Sequence, residues 1–339
     1  MRAHVLPLLA AGVIACSDTP TAPSPSQDHA PDPDALLWLI PFPGNPWIAP
    51  PGPAVLVGAG DIARCYPSND PTEITPPSLT AAEATAKLLD DIPGTVMAVG
   101  DNAYEFGSLS DYLLCYDPTW GRHKSRTRPA AGNHEYLTPG AAGYFTYFFP
   151  NGGAPGGYYS YNLGSWHVVV LNSTPQWAEC PPVKTSPEEG RTCVGDVLQR
   201  LWLRADLRWR GRPCTIAYFH HPRFSSGRHG SQYEMQQFWD IMYANGVDVV
   251  VSAHDHLYER FAPQDPEGNP DSERGIRQFT VGTGGAELYE FTTILPTSEV
   301  RNNDTHGVLK LTLGDGGYTW EFVPVAGKSF TDSGSGSCH

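Results

Sequence analysis

Six residues of metal-ligating type follow short apolar runs in this chain: Asp61, Asp101, Asn133, His220, His254 and His256. Carboxylate and amide oxygens are hard donors, and imidazole suits zinc and iron. Two ions held a few ångströms apart, with open positions for water and substrate, form the arrangement that hydrolyses phosphate esters. One His or Asp at the end of a strand is most often only hydrogen-bonded. Six such residues in one repeated setting argue for a site.

The setting is a strand followed by a polar cluster. Residues 54–57 lead to Gly60-Asp61, and residues 95–99 lead to Gly100-Asp101-Asn102. Residues 129–131 lead to Gly132-Asn133-His134-Glu135, 215–219 to His220-His221, and 247–251 to His254-Asp255-His256. Short runs rich in Val, Ile and Ala read as buried strands, so five strands deliver polar groups at one end. Helices are expected between them. Thr80-Ala81-Ala82-Glu83 is a capping box opening a segment that Pro93 stops, residues 196–209 carry Val197, Leu201, Leu203 and Leu207 at helical spacing, and Asn245-Gly246 closes a helix over 231–244. Residues 158–172, 278–282 and 307–325 read as hairpin strands, with a turn at Asp315-Gly316-Gly317. The expected fold is α/β, an α+β sandwich in which two β-sheets pack face to face and are flanked by helices.

A chain of 339 residues that is 40% hydrophobic can bury one large core, and its 35 Gly and 33 Pro imply many loops. The net charge of −14 argues against a nucleic-acid partner, whose backbone is bound through Lys and Arg. Bound metal ions would supply the local positive charge that a phosphate needs. The N-terminus reads as a targeting segment: Met1-Arg2 is basic, residues 5–15 are apolar but too few to span a bilayer, and Val13-Ile14-Ala15-Cys16 resembles a bacterial lipobox. Residues 1–16 are therefore expected to be a signal peptide ending at a lipidated Cys16, residues 17–53 a Pro-rich tether, and residues 54–339 the catalytic domain. Such a chain would be exported as a cell-envelope lipoprotein, or secreted if cleaved by the ordinary route. Of its seven cysteines, the six beyond Cys16 suggest three disulfides. Cys180 with Cys193 brackets a short polar loop; Cys65 with Cys115 and Cys214 with Cys338 complete one of many possible connectivities.

Five segments in this order resemble the calcineurin-like metallophosphoesterases, and among them the purple acid phosphatase branch. They are Gly60-Asp61-Ile62-Ala63, Gly100-Asp101-Asn102-Ala103-Tyr104, Gly132-Asn133-His134-Glu135, Ala217-Tyr218-Phe219-His220 and the run from Ala253-His254-Asp255-His256 to Arg260. The resemblance covers about residues 55–325 and implies a metallophosphatase-like four-layer architecture. It also implies a set of roles. Asp61, Asp101, Tyr104 and His256 would hold one metal; Asp101 would bridge to a second, held also by Asn133, His220 and His254. His134 would face the leaving group. His221 would be a substrate contact or would orient a ligand, since two adjacent imidazoles are awkwardly placed to bind one ion. Most of the family carries a ligand His two residues after the first Asp. Here that position is Ala63, and Tyr104 fills the gap. Phenolate with two carboxylates suits Fe(III), and Asn with two His suits Zn(II), Mn(II) or Fe(II).

The function implied is hydrolysis of phosphate esters, monoesters foremost, by a hydroxide that the two metals hold and acidify. Arg223, Arg228 and His229 are candidates to orient the substrate, a small phosphorylated molecule. A phosphodiesterase or nucleotidase on the same scaffold is the near alternative, and a non-catalytic metal- or phosphate-binding lipoprotein the distant one. Membrane contact is expected only through the lipid, and no protein partner is expected. Other signals read as structural: the basic run 122–128 as a solvated face, Glu259-Arg260 as a pair behind the site, and Gly282-Thr283-Gly284-Gly285 as a tight loop near the metals.

Overall fold

The computed structural model describes residues 53–65, 80–174 and 194–339. Cys16, nearly all of the expected tether, and Cys180 with Cys193 lie outside the described residues. In chain order the elements are β1 (Ala54–Ala59), α1 (Ala81–Asp91), β2 (Thr95–Val99), the single turn α2 (Leu109–Asp111), β3 (Thr127–Ala130), α3 (Ala142–Phe148), β4 (Tyr159–Leu163), β5 (Trp166–Val170) and α4 (Val194–Trp209). They continue with β6 (Cys214–Tyr218), α5 (Gln236–Ala244), β7 (Val249–Ser252), β8 (Tyr258–Phe261), β9 (Arg277–Val281), β10 (Ser298–Asn302), β11 (Gly307–Gly314), β12 (Gly317–Pro324) and β13 (Ser333–Ser337).

Two mixed sheets form, ordered β13-β12-β11-β1-β2-β3 and β10-β8-β9-β7-β6-β5-β4. In the first, β1, β2 and β3 are parallel, with Leu56 opposite Thr95 and Val96 opposite Thr127, and β11 joins antiparallel with Leu311 opposite Leu56. In the second, β5, β6, β7 and β9 are parallel, with β4 antiparallel to β5 at one flank and, at the other, β8 antiparallel to β9 and β10 antiparallel to β8.

Period-two alternation explains the layering. Val168 and Val170, Ile216 and Tyr218, and Val249 and Val251 share one core with Leu56, Leu309 and Leu311 of the first sheet. Their alternates Val169, Leu171, Ala217, Phe219 and Val250 pack on Leu203 and Leu207 of α4 and on Phe238, Trp239 and Met242 of α5. Both faces of the second sheet are therefore dry, which is why its strands are nearly continuous apolar runs. Each buried aliphatic side chain contributes about 1.5–3 kcal/mol relative to exposure. On the outer face of the first sheet lies α1, capped by Thr80, whose Oγ1 accepts from the N–H of Glu83 at 3.1 Å. The four-layer sandwich is the one the motifs implied.

The basic run at 122–128 serves α1. Arg122 pairs with Glu83 and Asp90, and Arg126 donates to the carbonyls of Leu89, Ile92 and Gly94 at the C-terminal end of the helix. Glu259 and Arg260 are structural too, but not as a pair. Buried Glu259 accepts from Ser226, while Arg260 binds Asp332. Strands β8, β10 and β13, and helices α2 and α3, had no clear sequence signal. β13, of sequence Ser-Gly-Ser-Gly-Ser, has poor strand propensity. It forms because Gly334 and Gly336 let the backbone lie on Trp320 and Tyr318, where a Cβ would come within 2.3 and 2.6 Å of the rings, and because Cys338 is bonded to Cys214. The second disulfide joins Cys65 to Cys115.

Candidate metal centre

The parallel strands end together. Beyond the ends of β1 and β2 the backbone keeps pairing: the N–H groups of Asp61, Ile62 and Ala63 donate to the carbonyls of Gly100, Asp101 and Asn102 at 3.0–3.1 Å, and Tyr104 N–H donates to Ala63 at 2.9 Å. Residues 61–63 and 101–104 thus run side by side, which places Tyr104 against Ala63, the position without a donor. The second sheet joins through Gly60 N–H to Val281, and within it β6 and β7 keep pairing past their ends through Ala253 N–H to His220, both at 2.9 Å.

Asp61, Asp101 and His254 have φ of 57°, 48° and 69°, in the left-handed region that side chains seldom adopt. Hydrogen bonds hold them there. Asp61 Oδ2 accepts from His254 N–H at 2.8 Å, and Asp101 N–H donates to Glu135 at 3.0 Å. The break in strand direction turns the three side chains toward one another.

Tyr104 Oη lies 2.9 Å from Asp61 Oδ1, 3.1 Å from His256 Nε2 and 3.4 Å from Asp101 Oδ2. His220 Nε2 lies 3.2 Å from the same Asp101 oxygen and 3.3 Å from His254 Nδ1. The imidazoles are oriented from behind: His220 Nδ1–H donates to the Val99 carbonyl at 3.0 Å, and His256 Nδ1–H to that of Glu287 at 2.6 Å. That leaves each Nε2 facing the cluster. Asn133 Oδ1 is buried and has no hydrogen-bond partner. Asp101, Asp61 and His220 form one group able to hold an ion, and His220, His221 and His254 another. A third group, Cys214, Asp248 and Cys338, sits where β6 begins, and its thiols are closed in the disulfide.

Without metal the cluster must share protons. Burial acts against the charged form of His220, but the Asp101 carboxylate wins and raises the imidazole to about 9; the same contact holds Asp101 below the usual carboxylate range. Burial and then Asp61 likewise act on His256, with the carboxylate prevailing and the shift upward. Burial, with the charge on His220 next, pushes His221 down to about 3. Burial followed by the charges of Asp61 and Asp101 keeps the Tyr104 phenol well above its ordinary value. Buried carboxylates facing histidines and an orphaned amide oxygen are what a cationic group would satisfy. The donors fit one.

The other sequence candidates fall at different distances from this cluster. His134 Nδ1 bonds the Glu105 carbonyl at 2.6 Å, its ring lies 4.5 Å from that of Tyr104, and its Nε2 is 3.9 Å from Asp101. Ser173 Oγ accepts from the His221 N–H at 2.9 Å, and its own hydroxyl faces His221 Nδ1 at 2.9 Å. Exposed His229 stacks 4.4 Å from His254, and exposed Arg228 lies 5.2 Å over Tyr289. Arg223 has other partners: it is buried, bonds Gln236 and lies 4.4 Å over Phe224.

Several participants were not singled out by the sequence. Glu135 is buried and accepts from the backbone of Asp101, Asn102 and Gly132 and from Tyr112. Tyr289 stacks on His256 at 4.0 Å. Arg64 bridges Glu105 and Glu287 above Tyr104. Glu135 was within reach, being part of the third motif, whereas Tyr289 and Glu287 lie in a segment with no local pattern.

A model of the calcineurin-like phosphoesterase family matches residues 13–258. The chain belongs to this family. Within the calcineurin-like phosphoesterases its relatives point to the purple acid phosphatase branch. It is 29% identical over 134 residues to purple acid phosphatase 18 of Arabidopsis thaliana, covering 38% of this chain and 26% of that protein. It is 27% identical over 158 residues to an acid phosphatase of Aspergillus ficuum. The chain thus spans about a quarter of the curated relatives it matches. Among solved structures, a purple acid phosphatase from yellow lupin seeds superposes with a TM-score of 0.67 at 21% identity, over 86% of this chain and 55% of that one. A protein described as the anchor in the inner membrane complex of Plasmodium shares the fold at a TM-score of 0.58 and 12% identity, over 83% of this chain and 88% of that one.

Proposed function

We propose that this chain hydrolyses phosphate esters, monoesters foremost, at a pair of metal ions: one held by Asp61, Asp101, Tyr104 and His256, the other by Asp101, Asn133, His220 and His254. The observation that carries the reading is the convergence on Asp101 Oδ2, which has Tyr104 Oη at 3.4 Å on one side and His220 Nε2 at 3.2 Å on the other. Two carboxylates and a phenol on the Tyr104 side form a hard, anionic set suited to Fe(III); the amide and imidazoles on the other side suit Zn(II), Mn(II) or Fe(II). Bound there, the ions would supply Lewis acidity and a water acidic enough to attack phosphorus near neutral pH.

The chain's own groups do the rest. His134 donates its Nδ1 proton to the Glu105 carbonyl, which fixes the ring with Nε2 toward the cluster; as the imidazolium it would carry a second proton there for the departing oxygen. His221 accepts at Nδ1 from Ser173, so its neutral tautomer carries the proton on Nε2 and offers it to a phosphoryl oxygen. Arg228 and His229, exposed beside the cluster, supply positive charge and a donor at its mouth. Export of the chain is part of the proposal; the two disulfides among the described residues and the lipobox-like Cys16 support it. The fold alone is compatible with an anchoring role, and the retained ligand set favours catalysis.

Metal analysis together with a panel of monoesters, diesters and nucleotides tests the reading. Absence of iron and zinc, with no hydrolysis between about pH 4 and 10, refutes it. Faster turnover of diesters than monoesters transfers it to the phosphodiesterases. Tyr104→Phe is expected to bind metal more weakly and to lose a visible phenolate charge-transfer band; a band that persists refutes the iron–phenolate assignment.

A further inference from the structure

Asp255 sits between His254 and His256 but takes no part in the cluster. It is completely buried, so its carboxylate must be satisfied by the protein. All its hydrogen bonds go to one stretch of five residues: Oδ1 accepts from the N–H of His229 at 2.8 Å, and Oδ2 accepts from the hydroxyl of Ser225. Ser225 Oγ in turn accepts from Gly227 N–H at 3.0 Å. Gly227 lies so close that a Cβ there would stand 2.5 Å from Asp255 Cγ. Segment 225–229 is therefore wrapped around this carboxylate.

The first half of the segment has other anchors. Ser226 N–H donates to Glu259 at 2.9 Å, its carbonyl accepts from Thr292 at 2.9 Å, and its hydroxyl accepts from Leu295 at 3.0 Å. At its far end, the His229 N–H is held by Asp255. That bond sets the His229 ring 4.4 Å from His254 and 5.5 Å from Tyr289, and brings Arg228 over Tyr289. One short connection thus joins the backbone between two proposed metal ligands to the two exposed groups at the mouth.

We infer that Asp255 is a positioning residue: it fixes His229 and Arg228 over the cluster so that they meet the phosphoryl group of the substrate. The inference rests on the proposed function. Its action is on substrate binding rather than on metal retention, because the carboxylate faces segment 225–229.

A mutant cycle on the metal-loaded full chain tests it, using Asp255→Ala, Asp255→Asn, His229→Ala and the double variant Asp255→Ala/His229→Ala, with metal content, kcat, KM and the Kd for inorganic phosphate as readouts. Asp255→Ala is expected to keep both metals, raise KM and the phosphate Kd about tenfold and change kcat less, the loss of roughly one hydrogen bond to a charged group. Asp255→Asn, which keeps an acceptor for the His229 N–H, restores most of the affinity. The double variant binds phosphate no more weakly than His229→Ala, because the two residues act as one unit. Multiplying effects, metal loss in Asp255→Asn, or an unchanged KM in Asp255→Ala overturns the inference while leaving the phosphoesterase reading intact. A wild-type chain that hydrolyses no ester overturns both.

Discussion

Replacing Glu135 by Gln tests whether one buried carboxylate holds two ligand-bearing loops together. Its Oε2 accepts from the N–H groups of Asp101 at 3.0 Å and Gly132 at 2.6 Å, and its Oε1 from Asn102 N–H at 2.8 Å and Tyr112 Oη at 3.0 Å. Gln offers one oxygen in place of two. Its better orientation puts that oxygen in the Oε2 position, keeping Asp101 and Gly132, and lets the Tyr112 hydroxyl rotate to accept from the new amide. The Asn102 N–H then faces a donor, and leaving it unpaired costs about 1–3 kcal/mol. The two retained bonds lose their charge assistance, roughly half the strength of each. Burial and the Asp101 charge already push the Glu135 carboxyl above its usual range, so neutralisation returns part of that loss. The net expectation is roughly 2–4 kcal/mol, well below the ~5–15 kcal/mol typical of a domain, so the variant folds. Because the same bonds position Asp101 and Asn133, metal affinity is expected to fall about 10–100-fold. Urea unfolding of chelator-stripped protein and competition with a metal indicator measure the two quantities. A stability within ~0.5 kcal/mol of wild type, the range of an inert substitution, together with unchanged metal affinity, refutes the reasoning.

Two further outcomes follow from the same geometry. Cys338→Ser opens a loop of sequence separation 124 and frees β13 from its tie to β6, so a loss of about 2–5 kcal/mol is expected in thermal or urea unfolding, with metal content unchanged because the bond lies at the opposite end of β6. Metal-free protein should be most stable near pH 6.5. His220, raised to about 9, contributes stability that is complete below the unfolded value of 6.5 and lost as pH climbs through 9. His221, lowered to about 3, and His254, also lowered, must stay neutral while the unfolded chain takes up protons, so stability declines as pH falls below 6.5. At the proposed site a bound metal would take the place of the His220 proton, so the alkaline decline should disappear in loaded protein. A pH-independent metal-free protein between about pH 5 and 9 contradicts the assignment.

Much of this was legible because it is local. A short, continuously apolar strand followed by Gly-Asp or a His pair announces both the element and the residue that follows it, and the Ala63 and Tyr104 singled out in the sequence lie side by side through the Tyr104 N–H bond to the Ala63 carbonyl. What escaped depends on contacts distant in sequence. β13 has no strand signal of its own and exists through Trp320, Tyr318 and Cys214. Tyr289 and Glu287 reach His256 from more than thirty residues away. Arg223 looked equivalent to Arg228, yet Gln236 and Phe224 draw it into the interior. Charge and proximity in sequence do not say which way a side chain turns.

The backbone of the centre bears on how stability and function are divided. Among the described residues, three of the four non-glycine residues with positive φ are Asp61, Asp101 and His254, and such conformations cost of order 1–3 kcal/mol each. The strain persists because ending β1, β2 and β7 in this way is what aims the side chains inward. Asp61→Asn separates the backbone from the chemistry, since Asn tolerates the left-handed region as well as Asp does. Its amide oxygen still accepts from the His254 N–H, now 2.8 Å from Asp61 Oδ2, while the negative charge beside Asp101 is gone. Metal-free Asp61→Asn is therefore expected to be as stable as wild type or more so. Metal-loaded Asp61→Asn should lose most of the stabilisation that binding confers, which grows as RT ln(1 + [L]/Kd). The difference in melting temperature between loaded and stripped protein reads this directly. If that difference is the same in Asp61→Asn as in wild type, Asp61 shapes the loop without holding the ion, and the strain at its backbone has no function in the centre.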